Sequence, residues 1–306
     1  MLLFTLAGLI AATLLSLAAG HVEPTARIVL LRLQRTGFAI VAGAGLAVCG
    51  AVFQTLLRNP LAEPYILGIS SGAGLGSVLF SVFYASSFFF PVPAMLGSLV
   101  TIGLVYTLSR RGGRLPVEGL LLSGVVINVI FSSLILFFIS TAHQSTVRDA
   151  IWWLLGSLEI FDPWLLLIAA LFVLAGCAVC FSFYRELDAL SLGEEEALHL
   201  GIDTERVSTI LFITASLMTA VLVSICGLIG FVGLIVPHIA RSFVGSGHRY
   251  LVPATALIGA ILLIAGDVLG RTLLWPIEIP IGVVTSILGG PFFLYLLARG
   301  KGGRWR

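Results

Sequence analysis

The chain has 306 residues, of which 58% are hydrophobic and 10% charged, whereas a soluble domain carries about a quarter charged residues. That leaves too little polar surface to cover a water-facing globule, so the composition argues for a polytopic membrane protein. A net charge of +2 carries no signal for nucleic acid as a partner.

The chain opens on "MLLFTLAGLIAATLLSLAAG", which ends in small residues like a signal peptide but lacks the basic stretch one would begin with. It is expected to be a first membrane helix. A bilayer core about 30 Å thick needs roughly 20 apolar residues per crossing, and ten such stretches can be drawn: 2–20, 36–57, 62–83, 91–109, 116–140, 164–184, 207–226, 228–245, 250–270 and 280–299. The expected fold class is therefore all-α, a single transmembrane domain over residues 1–306. With both termini in the cytoplasm, twelve Lys and Arg fall inside: Arg58, Arg110, Arg111, Arg114, Arg185, Arg206, Arg241, Arg249, Arg299, Lys301, Arg304 and Arg306. Five fall outside: Arg27, Arg32, Arg35, Arg148 and Arg271. Membrane proteins keep their excess of positive charge inside, which favours this orientation.

Taken in order, the segments between and within spans carry further signals. "RNPLAEP", Arg58 to Pro64, holds two prolines and reads as a tight cytoplasmic turn. "GISSGAGLG", Gly68 to Gly76, is rich enough in glycine for a phosphate loop, but no strand precedes it and no GK[ST] follows. Close helix packing is the better account, as it is for many of the 34 glycines. Gly124, Asn128 and Ser132 fall at i, i+4 and i+8 on the fifth span. That small polar stripe fits a solute path or interhelical hydrogen bonding equally well. Cys177 and Cys180 have CxxC spacing inside an apolar run, where thiols are inert.

Residues 185–206 hold seven of the fifteen Asp and Glu residues. Ser191 and Glu194 have the spacing of a capping box. Glu194, Glu195 and Glu196 lie in the first turn, where the helix dipole favours negative charge, and Gly201 suits the left-handed end of a helix. A short helix of about nine residues is expected, with Asp203 capping the next span. On these residues alone, a solvated connector is an equal reading. "GFVGLIVPHIAR", Gly230 to Arg241, predicts a kinked or broken helix, with His238 in a structural hydrogen bond. Asp267 and Arg271, four apart, are expected to pair along one face. Neither a catalytic set nor a metal cluster is apparent, and no cofactor is implied.

Several of these stretches resemble one family. "RLQRTGFAIVAGAGLAVCGAVFQTLLRNPLAEPYILGISSGAGLG", "LGEEEALHLGI", "GFVGLIVPHIARSFVG", "HRYLVPATALIGA" and "IEIPIGVVTSILGGPFFLYLL" are similar to the permease subunits of iron-siderophore, haem and cobalamin ABC importers, the FecCD/BtuC type. The likeness runs from about Arg32 to Leu297. It implies ten transmembrane helices per subunit and a pair of permease subunits, here a homodimer. It also implies two cytoplasmic ATPase subunits and a periplasmic or lipid-anchored binding protein.

The resemblance carries roles onto matching positions. The cytoplasmic loop at about 185–207 would dock into the ATPase through Ser191, Gly193, Glu194, Glu195, Ala197, Leu200 and Gly201. Arg32 and Arg35 in the R-x-x-R before the second span, with Arg271, would face outward and dock the binding protein. Asn128 and Ser132 would line the path. Some relatives have small hydroxyl residues just before the fifth helix; this chain has Val117 and Glu118 there, so no gate residue is assigned. The expected cargo is a metal chelate, with molybdate-type oxyanions also served by the fold. The alternative function is a proton-coupled secondary transporter, with Asp267 or Glu63 as proton carrier.

Overall fold

The computed structural model describes residues 2–20, 25–84, 91–110, 115–159 and 162–299. In chain order the helices are α1 (Leu2–Ala18), α2 (Ala26–Leu56), α3 (Ile69–Tyr84), α4 (Pro91–Ser109), α5 (Val117–Thr141), α6 (Gln144–Leu154) and α7 (Pro163–Ser182). They continue as α8 (Tyr184–Leu192), α9 (Glu194–His199), α10 (Thr204–Cys226), α11 (Val232–Val244), α12 (His248–Thr272) and α13 (Ile281–Arg299). A 3-10 turn, Pro64–Leu67, lies between α2 and α3.

The ten expected stretches fall on α1 to α5, α7 and α10 to α13. Of the described helices, six are long and apolar enough to cross a membrane: α2, α4, α5, α7, α10 and α12. The other four are shorter apolar helices. Three expectations need correction. Helix α2 begins ten residues earlier than drawn, where the Thr25 side chain accepts a hydrogen bond from the Ile28 amide. The third stretch opens as the 3-10 turn, not as a helix, because Pro64 heads it and Gly68 ends it at φ +74°. Helix α6 falls in a stretch read as a loop, since its polar residues break the apolar pattern. Of the charges used for orientation, Arg111, Arg114, Lys301, Arg304 and Arg306 lie outside the described residues.

Helix α2 is the axis of the bundle. It packs on α12, α10, α11 and α7 and is almost wholly buried from Phe38 to Thr55. Two glycine pairs make this possible. At Gly43 and Gly259 the backbones of α2 and α12 meet so closely that a Cβ on either would collide with the other's carbonyl. Gly50 meets the Gly233 backbone of α11 in the same way. Small residues at helix crossings are the usual means of close approach in membranes. The glycines of "GISSGAGLG" do the same work: Gly72 lies against Gly97 and Thr101 of α4, and Gly76 against Pro93. Helix α1 closes the bundle by packing on both α12 and α2.

The predicted break in "GFVGLIVPHIAR" is present. Helix α10 ends at Gly227, φ +67°, and α11 starts after Phe231, a non-glycine residue in the left-handed region at φ +68°. Pro237 sits inside α11. The opened backbone is satisfied from the turn after α2. The Ile229 amide donates to the Tyr65 hydroxyl (3.0 Å) and the Phe231 amide to Glu63 Oε2 (3.2 Å). Glu63 thus places its carboxyl at the start of α11, where a helix dipole favours negative charge.

Substituting valine for Gly43 is expected to force α2 from α12 and destabilise the fold by roughly 3 kcal/mol, the upper range for overpacking. Nothing lies within 4 Å of a Cβ added at Gly103, so Gly103→Val serves as the control. Thermal unfolding in detergent should show a lowered midpoint for the first and an unchanged one for the second.

Candidate functional site

Helix α2 concentrates its polar side chains at its two ends. Thr55 lies 20 residues after Arg35, about 30 Å of helix, which matches the hydrocarbon thickness of a bilayer. Each end anchors a polar cluster.

At the first end, the Arg35 guanidinium donates Nε–H to Asp267 Oδ1 (2.5 Å) and Nη1–H to Glu159 Oε1 (3.0 Å) and Glu278 Oε2 (2.8 Å). Asp267 is buried and also faces Arg271 Nε at 3.5 Å, an ion pair without hydrogen-bond geometry. Arg271 donates Nη2–H to the Ser16 carbonyl and to Ser16 Oγ (2.9 Å). Ser16 Oγ also shares a hydrogen bond with the Thr36 hydroxyl (2.8 Å), and Arg32 donates to the Leu17 carbonyl (2.8 Å). So α1, α2, α12 and the segments before α7 and α13 are tied together here.

The structure brings Arg32, Arg35 and Arg271 to one end, where internal partners hold them. Arg32 and Arg271 are only 8% and 9% exposed. A guanidinium at the edge of an apolar core is costly unless carboxylates and carbonyls satisfy it, and this chain supplies them internally. The groups that do face solvent are Glu159 and Glu278, with side chains about half exposed. Partial burial pushes the pKa of Glu159 up, with Arg35 pulling the other way. Asp267 and Arg271 do pair as predicted; the shorter contact, with Arg35, crosses 232 residues of sequence.

At the second end lies the charge-rich segment. Instead of one nine-residue helix it forms two, α8 and α9, joined at Gly193 with φ +144° and ψ +157°. The capping box is not formed. Ser191 lies within α8 and donates to the Asp188 carbonyl (2.6 Å), so it cannot turn to the amides of α9. The expected acidic first turn, Glu194 to Glu196, is present, and Gly201 ends the segment at φ +80°. Asp203 caps α10 by accepting from the Arg206 amide (3.0 Å).

Leu187, Leu190 and Ala197 anchor the pair to the bundle. Leu192, Leu198 and Leu200 point away from it, 68%, 49% and 64% exposed. Two polar bridges lead back to α2. Arg58, left-handed at φ +43°, meets Glu194 at 3.3 Å. The His248 ring at the start of α12 joins Asp188 of α8 (Nδ1 to Oδ1, 2.6 Å) to Thr55 (Nε2 to Oγ1, 2.9 Å).

The stripe on α5 turns outward along the helix. Gly124 is buried against the 3-10 turn, touching Ile66 and Leu67, whereas Asn128 is half-buried and Ser132 exposed. The four cysteines are free thiols. Among the described residues no group of three or more His, Cys, Asp or Glu could hold a metal ion. Sequence reasoning missed Glu159, Glu278, Asp188, Thr55 and His248 as partners. Their contacts span 60 or more residues, and no periodicity or spacing rule connects them.

The model of the FecCD transport family matches residues 2–299. The chain belongs to the FecCD transport family. Among curated relatives, it is 40% identical over 280 residues to the cobalamin import system permease protein BtuC of Halobacterium salinarum, covering 90% of this chain and 75% of that one. It is 39% identical over 276 residues to the hemin transport system permease protein HmuU of Yersinia pestis, covering 88% and 82%. A solved inward-facing metal-chelate type ABC transporter superposes with a TM-score of 0.88 at 30% identity, over 97% of this chain and 98% of that one. PsaBC from Streptococcus pneumoniae shares the fold, with a TM-score of 0.61 at 20% identity over 94% of both chains. This FecCD chain is thus a multi-pass membrane protein of the permease fold.

Two substitutions test the clusters of this FecCD protein. Asp267→Ala strips Arg35 and Arg271 of their buried partner and should cost about 3–5 kcal/mol, read as a lowered unfolding midpoint. Gly193→Ala forces a side chain into a left-handed backbone and should cost about 1–3 kcal/mol. Hydrogen exchange should show the second loss confined to α8 and α9.

Proposed function

We propose that this chain is the permease subunit of a binding-protein-dependent ABC importer for a metal chelate. The observation that carries the reading is the α8–α9 pair: three exposed leucines on a charged segment that is itself anchored to the bundle. Charge keeps such a segment in water, and apolar side chains held outward on it form a contact face for another protein. A self-contained transporter has no use for one. The partner is a cytoplasmic ATPase subunit, seated on the face formed by Ser191, Glu194, Glu195, Leu200 and Gly201, with Leu192 and Leu198 beside them; Gly193 and Ala197, expected on that face, are buried and hold the segment in place instead. Two ATPase subunits and two copies of this chain form the complex, and ATP hydrolysis belongs to the ATPase subunits.

On this reading the chain lies in a prokaryotic cytoplasmic membrane, with ten spans, both termini inside and the Arg35 end outside. A periplasmic or lipid-anchored binding protein docks at that end. The docking residues Arg32, Arg35 and Arg271 are held by internal partners. A carboxylate of the binding protein reaches Arg35 by replacing Glu159 or Glu278, so docking there is an exchange of ion-pair partners. The path runs between the two copies along α5, past Asn128 and Ser132. Its wall is mostly apolar, as suits a bulky chelate of the kinds named for the relatives: cobalamin, hemin, ferric citrate or ferric hydroxamate.

The rival reading, a proton-coupled transporter, draws on the half-buried carboxyl of Glu63 at the start of α11. Asp267 serves it poorly, being tied to two guanidiniums. Native mass spectrometry of the complex from its own host separates the two. Two permeases with two ATPase subunits are expected. A permease that never captures an ATPase, and takes up solute on a proton gradient without ATP, overturns the importer. Replacing both Leu198 and Leu200 by serine should lower ATPase capture at least tenfold, a loss of about 1.4 kcal/mol or more. The unfolding midpoint should be unchanged, since both side chains are exposed.

A further inference from the structure

Helices α8, α12 and α2 meet at one imidazole. His248 is the first residue of α12 and is 2% exposed. Its backbone amide and its ring Nδ1 both reach the same Asp188 oxygen, at 2.7 Å and 2.6 Å. A carboxylate only accepts, so Nδ1 carries a proton and the bond is charge-assisted, the stronger kind. The other ring nitrogen meets the Thr55 hydroxyl at 2.9 Å, on the last turn of α2. That hydroxyl is also within 3.0 Å of the Ala51 carbonyl one turn back, which holds it on the α2 backbone. Asp188 thus has two bonds to α12, and α12 has one to α2, through a ring that cannot bend.

Hydrophobic packing between α8 and its neighbours resists separation but allows sliding. The polar bridge adds direction. It fixes the rotation of α8 about its own axis, because Asp188 must keep facing α12. It also aligns the α8 carboxylate with α2, the helix that runs from this end to the Arg35 cluster. The second bridge, Arg58 to Glu194, adds a contact from α2 to α9, but between half-exposed groups, where an ion pair is worth little. The imidazole bridge, with His248 3% and Asp188 42% exposed, is the stiffer of the two because it makes two bonds to Asp188 and passes through a rigid ring.

We propose that Asp188, His248 and Thr55 form the joint through which displacement of the α8–α9 pair is passed to α2 and α12. All three act as positioning residues, touching neither cargo nor nucleotide. The proposal rests on the importer reading and adds to it a defined mechanical element outside the docking face. The joint makes two demands. Breaking it must leave ATP hydrolysis running while the far end of the bundle stops following. A substitution that keeps the hydroxyl must keep the coupling.

The test uses the complete complex in lipid nanodiscs and needs no knowledge of the cargo. A spin label is placed at Leu273→Cys, an exposed position just past α12 at the Arg35 end. The distance between the labels of the two permease copies is measured without nucleotide and with ATP and vanadate. Thr55→Val removes the hydroxyl at nearly constant shape, Asp188→Ala removes the carboxylate, and Thr55→Ser keeps the hydroxyl. The expected result is an ATP-driven change in distance that falls at least about fivefold in Thr55→Val and Asp188→Ala, the scale of a typical coupling between sites. ATPase capture and hydrolysis continue, and Thr55→Ser behaves as the parent. The double variant should be no worse than either single one, since both break the same chain of bonds. Parental distance changes in both broken variants overturn the joint. So does loss of ATPase capture in step with the distance change, which would make the three residues a support for docking only. A parent complex that shows no ATP-driven change overturns the importer reading, and the joint with it.

Discussion

The close approach of α2 to the backbones around it is the constraint on which the remaining structure depends. With glycine facing glycine at Gly43 and Gly259, and Gly50 against Gly233, one helix packs on α12, α10, α11 and α7, with α1 and α8 beside them, and is shielded from lipid for most of its length. Lipid tails are as apolar as leucine, so hydrophobicity alone gives membrane helices little reason to associate. Packing contact and polar bonds must supply it. The glycine contacts provide the first along the middle of α2. The Arg35 and Thr55 clusters provide the second at its ends, where water and headgroups lower the cost of charge.

This division explains what could be read from the chain and what could not. The helices were legible because 20-residue apolar runs are a one-dimensional property. So were the break before α11, the left-handed end at Gly201 and the cap at Asp203, each set by neighbours within a few residues. The capping box at Ser191 failed because it is an equally local signal that competes with another: the residues before it continue α8, and Ser191 is taken up by the Asp188 carbonyl. Helix α6 was missed because an amphipathic helix of 11 residues has no long apolar run. Arg32, Arg35 and Arg271 could be grouped from the sequence, but not what holds them inside the fold. The carboxylate partners of Arg35 lie more than 100 residues away in sequence, and no local pattern points to them, unlike the i, i+4 pair of Asp267 and Arg271.

The two sides of the molecule are built on different principles. The α2 core is tight, rich in small residues and closed to substitution. Helices α5 and α7 expose most of their apolar surface and touch the core along narrow strips. Leu122, Val125, Val129, Leu136 and Phe137 all face outward on α5, so this surface can meet lipid, another copy of the chain or a bulky solute without polar complementarity. Specificity residing in the permease would need fixed polar groups, and α5 has few. Relatives of this fold carry names that span cobalamin, hemin and ferric citrate.

The Arg35 cluster also constrains how the chain is made. Its members sit on α1, α2 and α12, and the contacts of Arg271 with Ser16 and of Asp267 with Arg35 join residues 255 and 232 positions apart. During synthesis the first two helices enter the bilayer long before their counter-charges exist. Until α12 arrives, Arg35 lacks its buried partner Asp267 and has only Glu159, ahead of α7, to meet it. A chain that stops before α12 therefore leaves Arg35 with the half-exposed Glu159 alone, and the nearby ends of α1 and α2 without the Arg271 and Asp267 groups that tie them.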